Sequence, residues 1–180
     1  EPDALPRGVP LNNVWRKLVF AWAFQSRNLL LSGSVTSGSK VVYRRSVVER
    51  VRRVAPFLRL LPDRGVQPVI HDGHVVWIVD GYTTSTSFPL SRAAVLEALP
   101  VRYARNSVKA TVDALTGEVR LFVADPDDPI LRTYAAFFPG LIEPLDAMPE
   151  ALREHLRFPA PLIELQAAIL GDYHLRDPEL

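Results

Sequence analysis

The stretch Pro68-Val69-Ile70-His71-Asp72-Gly73-His74-Val75-Val76-Trp77-Ile78-Val79 decides the fold. Two runs rich in β-branched and aromatic residues flank Asp72-Gly73. Asp-Gly favours the tight turn that joins antiparallel strands, because both central positions tolerate positive φ. The second run is apolar at every position, which predicts a strand covered on both faces.

Outward from this hairpin, a second one follows. Residues 107–114 alternate, with Val108, Ala110 and Val112 facing one way and Lys109, Thr111 and Asp113 the other. Thr116-Gly117 is a turn, and Val119, Leu121 and Val123 form the next buried row. The two hairpins predict a central antiparallel sheet of about four strands.

Helical periodicity occupies both ends. Leu11, Val14, Trp15, Leu18, Val19 and Trp22 recur at helical spacing opposite Asn12, Asn13, Arg16 and Lys17. This reads as an amphipathic core helix, with a membrane-surface anchor as the alternative. Ser46 caps a short helix through Ala55, and Asp128 before Pro129 caps another that Pro139-Gly140 ends. Pro149 opens a short helix through Leu156, and Leu162, Ile163, Leu165, Ala168, Ile169 and Leu170 mark a last one. The expected class is α+β, with amphipathic helices packed mainly on one face of the sheet. Residues 1–10, holding three prolines and a glycine, read as a linker, and residues 11–180 as a single domain.

Composition narrows the chemistry. With 48% hydrophobic and 23% charged residues, the chain is an ordinary globular protein, not a disordered one. A net charge of +1 argues against nucleic acid as a partner, since such proteins carry a basic excess that displaces phosphate counterions. The absence of cysteine excludes disulfides, thiolate catalysis and iron–sulfur clusters. No apolar run reaches the roughly 18 residues that a membrane-spanning helix needs. The chain opens at Glu1 without an initiator methionine and without a signal peptide, which reads as a mature or excised fragment.

Several groups of residues invite a chemical reading. Gly33 and Gly38 have the separation of a phosphate loop, but Ser39 stands where the lysine belongs and Lys40 follows one place late. His71 and His74 straddle the first turn, too few ligands for a metal site. Asp125, Asp127 and Asp128 form the densest carboxylate cluster, which reads as a helix-start turn because Pro126 and Pro129 stiffen it. No metal or cofactor is expected, and no catalytic set is complete. Arg44, Arg45, Arg50, Arg52 and Arg53 gather around one helix, as a solvated face or as a contact for anionic lipid headgroups or an acidic partner. The richest segment leaves the buried strand at Asp80 and continues through Tyr82, Thr83, Thr84 and Ser85, with Asn106, Ser107 and Lys109 expected on a neighbouring strand. Together they can hydrogen-bond a sugar, a peptide or a headgroup, or else satisfy the backbone of a turn.

The wording of three stretches carries a resemblance: Val76-Trp77-Ile78-Val79-Asp80-Gly81-Tyr82-Thr83-Thr84-Ser85, Arg105-Asn106-Ser107-Val108-Lys109-Ala110-Thr111-Val112-Asp113-Ala114, and Phe138-Pro139-Gly140. With Arg27-Asn28-Leu29-Leu30-Leu31 and Arg157-Phe158-Pro159, they resemble a family of large, uncharacterised bacterial integral membrane proteins. The resemblance runs from about Gly8 to Pro178. It departs at Phe88 and Leu90, where the family often carries tyrosines, and at the short residues 91–104, where the family carries a longer insert. It implies an extracytoplasmic domain of a multi-pass protein in the cell membrane. The rest of that parent protein, anionic lipid headgroups and envelope components are the implied partners. Two functions are expected: a non-enzymatic interaction or ligand-sensing domain, or an envelope-directed hydrolase using Asp80 and the neighbouring hydroxyls.

Overall fold

The computed structural model describes residues 9–28, 39–41 and 46–174, with side chains described through Gly171. The chain divides into two compact units, one of residues 1–45 with 115–117 and one holding the remainder.

In the first unit, β1 (Val9–Pro10) pairs antiparallel with β2 (Lys40–Val41). Between them runs α1 (Val14–Ala23), whose N-cap Asn13 accepts a hydrogen bond from the Trp15 amide. Pairing thus begins inside the stretch expected to be linker, because Val9 and Pro10 sit at an edge where proline's missing N–H costs nothing. The core-helix reading of α1 fails: Ala21 is the helix's buried residue, while Val14, Trp15, Leu18, Val19 and Trp22 are exposed. The loop with Gly33 and Gly38 lies outside the described residues, as do Arg44 and Arg45.

In the second unit, α2 (Val47–Val54) starts where Ser46 Oγ accepts from the Glu49 amide, and Glu49 in the first turn and Arg52 and Arg53 in the last suit the helix dipole. A six-stranded sheet follows. It comprises β3 (Arg59–Leu60), β4 (Val66–His71) and β5 (His74–Ser85), then β8 and β9 after a separate two-stranded hairpin, β6 (Ala94–Leu96) with β7 (Leu99–Val101). Strand β8 spans Tyr103–Asp113, β9 spans Val119–Val123, and β10 (Ile142–Glu143) closes the edge. The order is β10-β9-β8-β5-β3, with β4 also paired to β5. All pairs are antiparallel except β10 with β9. Both expected hairpins are present, and Asp72 and Gly73 take φ of 48° and 78°, the turn their sequence favours.

The sheet has six strands instead of about four because β3 and β10 are two residues each, too short for any periodicity to register. The β6–β7 hairpin turns on Glu97 and Ala98, both at positive φ without a glycine or asparagine to announce it.

Helices cover both faces, not mainly one. Successive strand residues point to opposite sides. Trp77, Val79, Ala110 and Leu121 pack with Val51 and Ala55 of α2 and Leu131 of α3 (Pro129–Phe137). Val76, Ile78 and Phe122 pack with Met148 and with Leu152 of α4 (Glu150–Arg153). The uninterrupted apolar run of β5 is the physical reason, since it offers a core-forming surface to each side. At the far end of β5, Tyr82 joins Leu96, Val101 and Leu162 of α5 (Ala160–His174) in a third cluster. One residue earlier, Gly81 leaves room for the first cluster: a Cβ there would stand 2.9 Å from Leu58 Cδ1.

Candidate functional site

Strand register places Asp80 of β5 directly opposite Lys109 of β8. Lys109 Nζ donates to Asp80 Oδ1 at 2.5 Å and to the Arg157 carbonyl at 2.9 Å. The pair is largely buried, with side chains 7% and 16% exposed for Lys109 and Asp80. Burial is costly for either charge alone and tolerable for the pair because each supplies the other's counterion. The chain closes over it at Gly65: the Asp80 amide donates to the Gly65 carbonyl at 2.7 Å, and a Cβ on Gly65 would stand only 3.0 Å from the Leu61 carbonyl oxygen.

The pair borders a cavity of about 270 Å³. Gly65, Gln67 and Ile78 form part of its wall, and residues 157–160 form another part. Arg64 and Phe158 also line it, and both reach solvent. Arg64 donates to both carboxylate oxygens of Glu164, at 2.7 Å to Oε2, and lies 3.6 Å from Glu97 Oε1. The hydrogen bond to Glu164 holds the guanidinium above its usual pKa and Glu164 below its own. Lys109, Arg157 and Phe158 also line a second hollow of about 590 Å³ with Arg105, Asn106 and Asp125.

The other expected site residues lie outside this cavity: Asn106 lines the second hollow, Thr83 belongs to a sealed interior network, and Tyr82, Thr84 and Ser85 lie further along β5. Asn106 Nδ2 donates to the Gly81 carbonyl at 3.3 Å. Tyr82 is fully buried, and its hydroxyl has no hydrogen-bond partner among the described residues. Burial, then the charges of Asp80 and Glu97, push its pKa up. Thr84 and Ser85 are half-buried, and Ser85 Oγ accepts from the Ser87 amide at 3.2 Å. Thr83 turns to Asp128: its Oγ1 donates to Oδ2 at 2.5 Å, and the Ser107 hydroxyl donates to the same oxygen. Tyr103 donates to Oδ1 at 2.7 Å, and the Ile130 amide does so at 2.9 Å. Burial of Asp128 raises its pKa, but the hydrogen bonds from Ser107, Thr83, Tyr103 and Ile130 outweigh this and hold the carboxyl below its ordinary value. Reading the sequence finds Asp128 as a helix cap, yet misses that the cap is also the anchor of three hydroxyls. No spacing in the chain links residues 83, 103, 107 and 128.

The remaining groups are engaged elsewhere. His74 Nε2 lies 2.8 Å from Asp113 Oδ2, and His71 Nε2 lies 3.4 Å from Asp72 Oδ2. Asp125 accepts from Arg105 at 2.9 Å and from the Asp127 amide at 3.1 Å, as a turn residue does. On α2, Arg52 and Arg53 are exposed and Arg50 is half-exposed; Arg53 lies 3.6 Å from Glu49.

Comparison with known proteins adds a lineage. A family model described as "Uncharacterised protein family (UPF0182)" matches residues 6–180. A UPF0182 protein of Synechococcus sp. (strain JA-2-3B'a(2-13)) is 44% identical over 173 residues, covering 96% of this chain and 20% of the relative. One from Methanospirillum hungatei JF-1 is 47% identical over 167 residues, covering 91% and 18%. A third, from Clavibacter sepedonicus, is 43% identical over 173 residues, covering 95% and 18%. The chain therefore spans about a fifth of the length of the curated relatives it matches. No solved structure matches it.

Proposed function

The chain belongs to the uncharacterised protein family UPF0182; we propose that it is a non-enzymatic interaction or ligand-sensing domain, carried outside the membrane by a larger membrane protein. The ligand seat in this reading is the cavity at Asp80 and Lys109. One observation carries it: the two charges at the cavity wall are spent on each other, and the nearby hydroxyls of Thr83 and Ser107 are spent on Asp128. A fixed ion pair orients a polar guest well and serves poorly as a free general base, whose proton acceptor must be uncommitted. Lys109 is a threefold donor, and two of its hydrogens have acceptors among the described residues, which leaves the third for a guest in this reading. Gln67 Nε2 donates to the His155 carbonyl at 2.7 Å and Arg64 is held by Glu164, so both give the cavity a fixed polar wall, and Phe158 gives it an apolar one. A small polar molecule with an anionic group fits this set, such as a sugar acid, a peptide terminus or a headgroup fragment.

The test is a thermal-shift screen of free amino acids, uronic acids and glycerophosphates. At least one is expected to raise the melting temperature of the wild type and not of Gln67→Ala and Phe158→Ala, which change the cavity wall but spare the ion pair. A broad hydrolase screen that is positive on the same protein and is abolished by Asp80→Asn would replace this reading with the enzymatic one.

A further inference from the structure

We propose that α1 is an interfacial helix that seats its apolar face in the surface of an anionic lipid bilayer. The proposal rests on this helix and the charge of the sequence that flanks it, and stands apart from the cavity reading.

The helix is built in the reverse of a globular surface helix. Val14, Trp15, Val19 and Trp22 are 69%, 74%, 61% and 87% exposed, and Leu18 is 42% exposed. At 100° per residue these five share one side, while Lys17, Phe20 and Ala21 lie on the side that is covered. Scattered apolar residues on a surface are ordinary; a contiguous face holding two of the chain's three tryptophans is not. The fold of the helix does not depend on an occupant, because Asn13 caps it from within the chain.

Charge selects the occupant. From Ala4 to Val48 there is no aspartate or glutamate, while Arg16, Lys17, Arg27, Lys40, Arg44 and Arg45 all fall in that span. The whole chain is only +1, so its basic excess is concentrated in this stretch of sequence. The complementary surface is therefore negative. It must also accept indole rings and their N–H groups at one depth. The headgroup region of a bilayer does both, with acyl chains below the ring and phosphate or glycerol oxygens beside the nitrogen. Length fixes the orientation: ten residues span about 15 Å against a hydrocarbon core of about 30 Å, so the helix lies along the surface and does not cross it.

The test is flotation of the 180-residue chain with vesicles of phosphatidylcholine alone and of equal parts phosphatidylcholine and phosphatidylglycerol, at low salt and at about 0.15 M salt. Binding is expected only to the phosphatidylglycerol vesicles, weakened by salt, with a blue shift of tryptophan emission. Arg16→Gln with Arg27→Gln, both exposed, should lower the partition coefficient by at least about tenfold, following the usual gain per basic side chain at an anionic surface. Trp15→Ser with Trp22→Ser should abolish binding, with the same thermal transition and circular dichroism as the wild type. Indifference to both vesicle types would overturn the proposal. Sedimentation equilibrium then sorts the replacement: self-association lost in the double tryptophan variant makes the face an interface between copies, and a monomer leaves it to a protein partner.

Discussion

Asp80 and Asp128 both meet strand β8, at Lys109 and Ser107, and the fold treats the two carboxylates in opposite ways. Asp128 is sealed and surrounded by neutral donors, three hydroxyls and one amide. Asp80 is matched to a single cation beside a cavity. The first arrangement needs no counterion, because several oriented dipoles together stabilise a charge that none could stabilise alone. The second leaves water and guests a way in. The lesson is that burial alone does not mark a working site; what distinguishes the two is whether the polar capacity around the carboxylate is closed or still open.

The comparison is broken most sharply by removing the sealed member. Asp128→Ala leaves Thr83, Ser107 and Tyr103 without their acceptor and uncaps α3, and should cost about 3–5 kcal/mol in urea denaturation. Asp128→Asn, which keeps one acceptor oxygen, should cost roughly half as much. Lys109→Met should cost less than Asp128→Ala, about 2–3 kcal/mol, because the stranded Asp80 can draw water from the cavity and escapes the full penalty of a buried unpaired charge. Adding Asp80→Asn to it should recover at least about 1 kcal/mol in a double-mutant cycle. Equal costs for Lys109→Met and Asp128→Ala would show that the cavity gives Asp80 no relief, and the contrast would collapse.

Acidity sharpens the same comparison. Asp128 has a folded-state pKa below its unfolded value of 3.8, so its contribution is present above that pH and is lost as pH falls through the lower, folded value. Urea midpoints of the wild type should drop in this acid window, and those of Asp128→Asn should lack that component. Tyr103 behaves in the opposite sense. Burial, then the hydrogen bond to Asp128, raises its pKa above the usual 10.0, so its contribution is complete below that value and fades as pH climbs past it. The smallest effect belongs to the exposed pair on α2: Arg53→Ala should change stability by no more than about 0.5 kcal/mol.

Much of the second unit was legible in the sequence because its signals are local. Asp72-Gly73 specifies a turn, and Ser46 and Asp128 specify helix starts, whatever surrounds them. The strands β3 and β10 were not legible, since two residues define no period. The β6–β7 hairpin was hidden because Glu97 and Ala98 adopt a backbone that other residues favour. For α1, periodicity showed that an apolar face exists, but periodicity is silent on what covers it. At the candidate site, Asp80 and Lys109 stood out as polar residues on strands expected to be neighbours, but their facing register was not legible, because β5 and β8 belong to different hairpins. The Asp128 network was not, because its members converge only through the third dimension.

The register shift between Gly81 and Thr83 has a bearing on how the chain finds its alignment. Each hairpin can zip independently, but the union of β5 with β8 brings together segments with a long connection between them. A slip of one position there would set the Lys109 ammonium against Val79 or Gly81 and strand it among aliphatic groups. The same slip would carry Thr83 and Ser107 away from each other and from Asp128. The two carboxylates thus proofread one docking event from either side of an irregularity, and a misaligned sheet is rejected by charge on one side and by unanswered hydroxyls on the other.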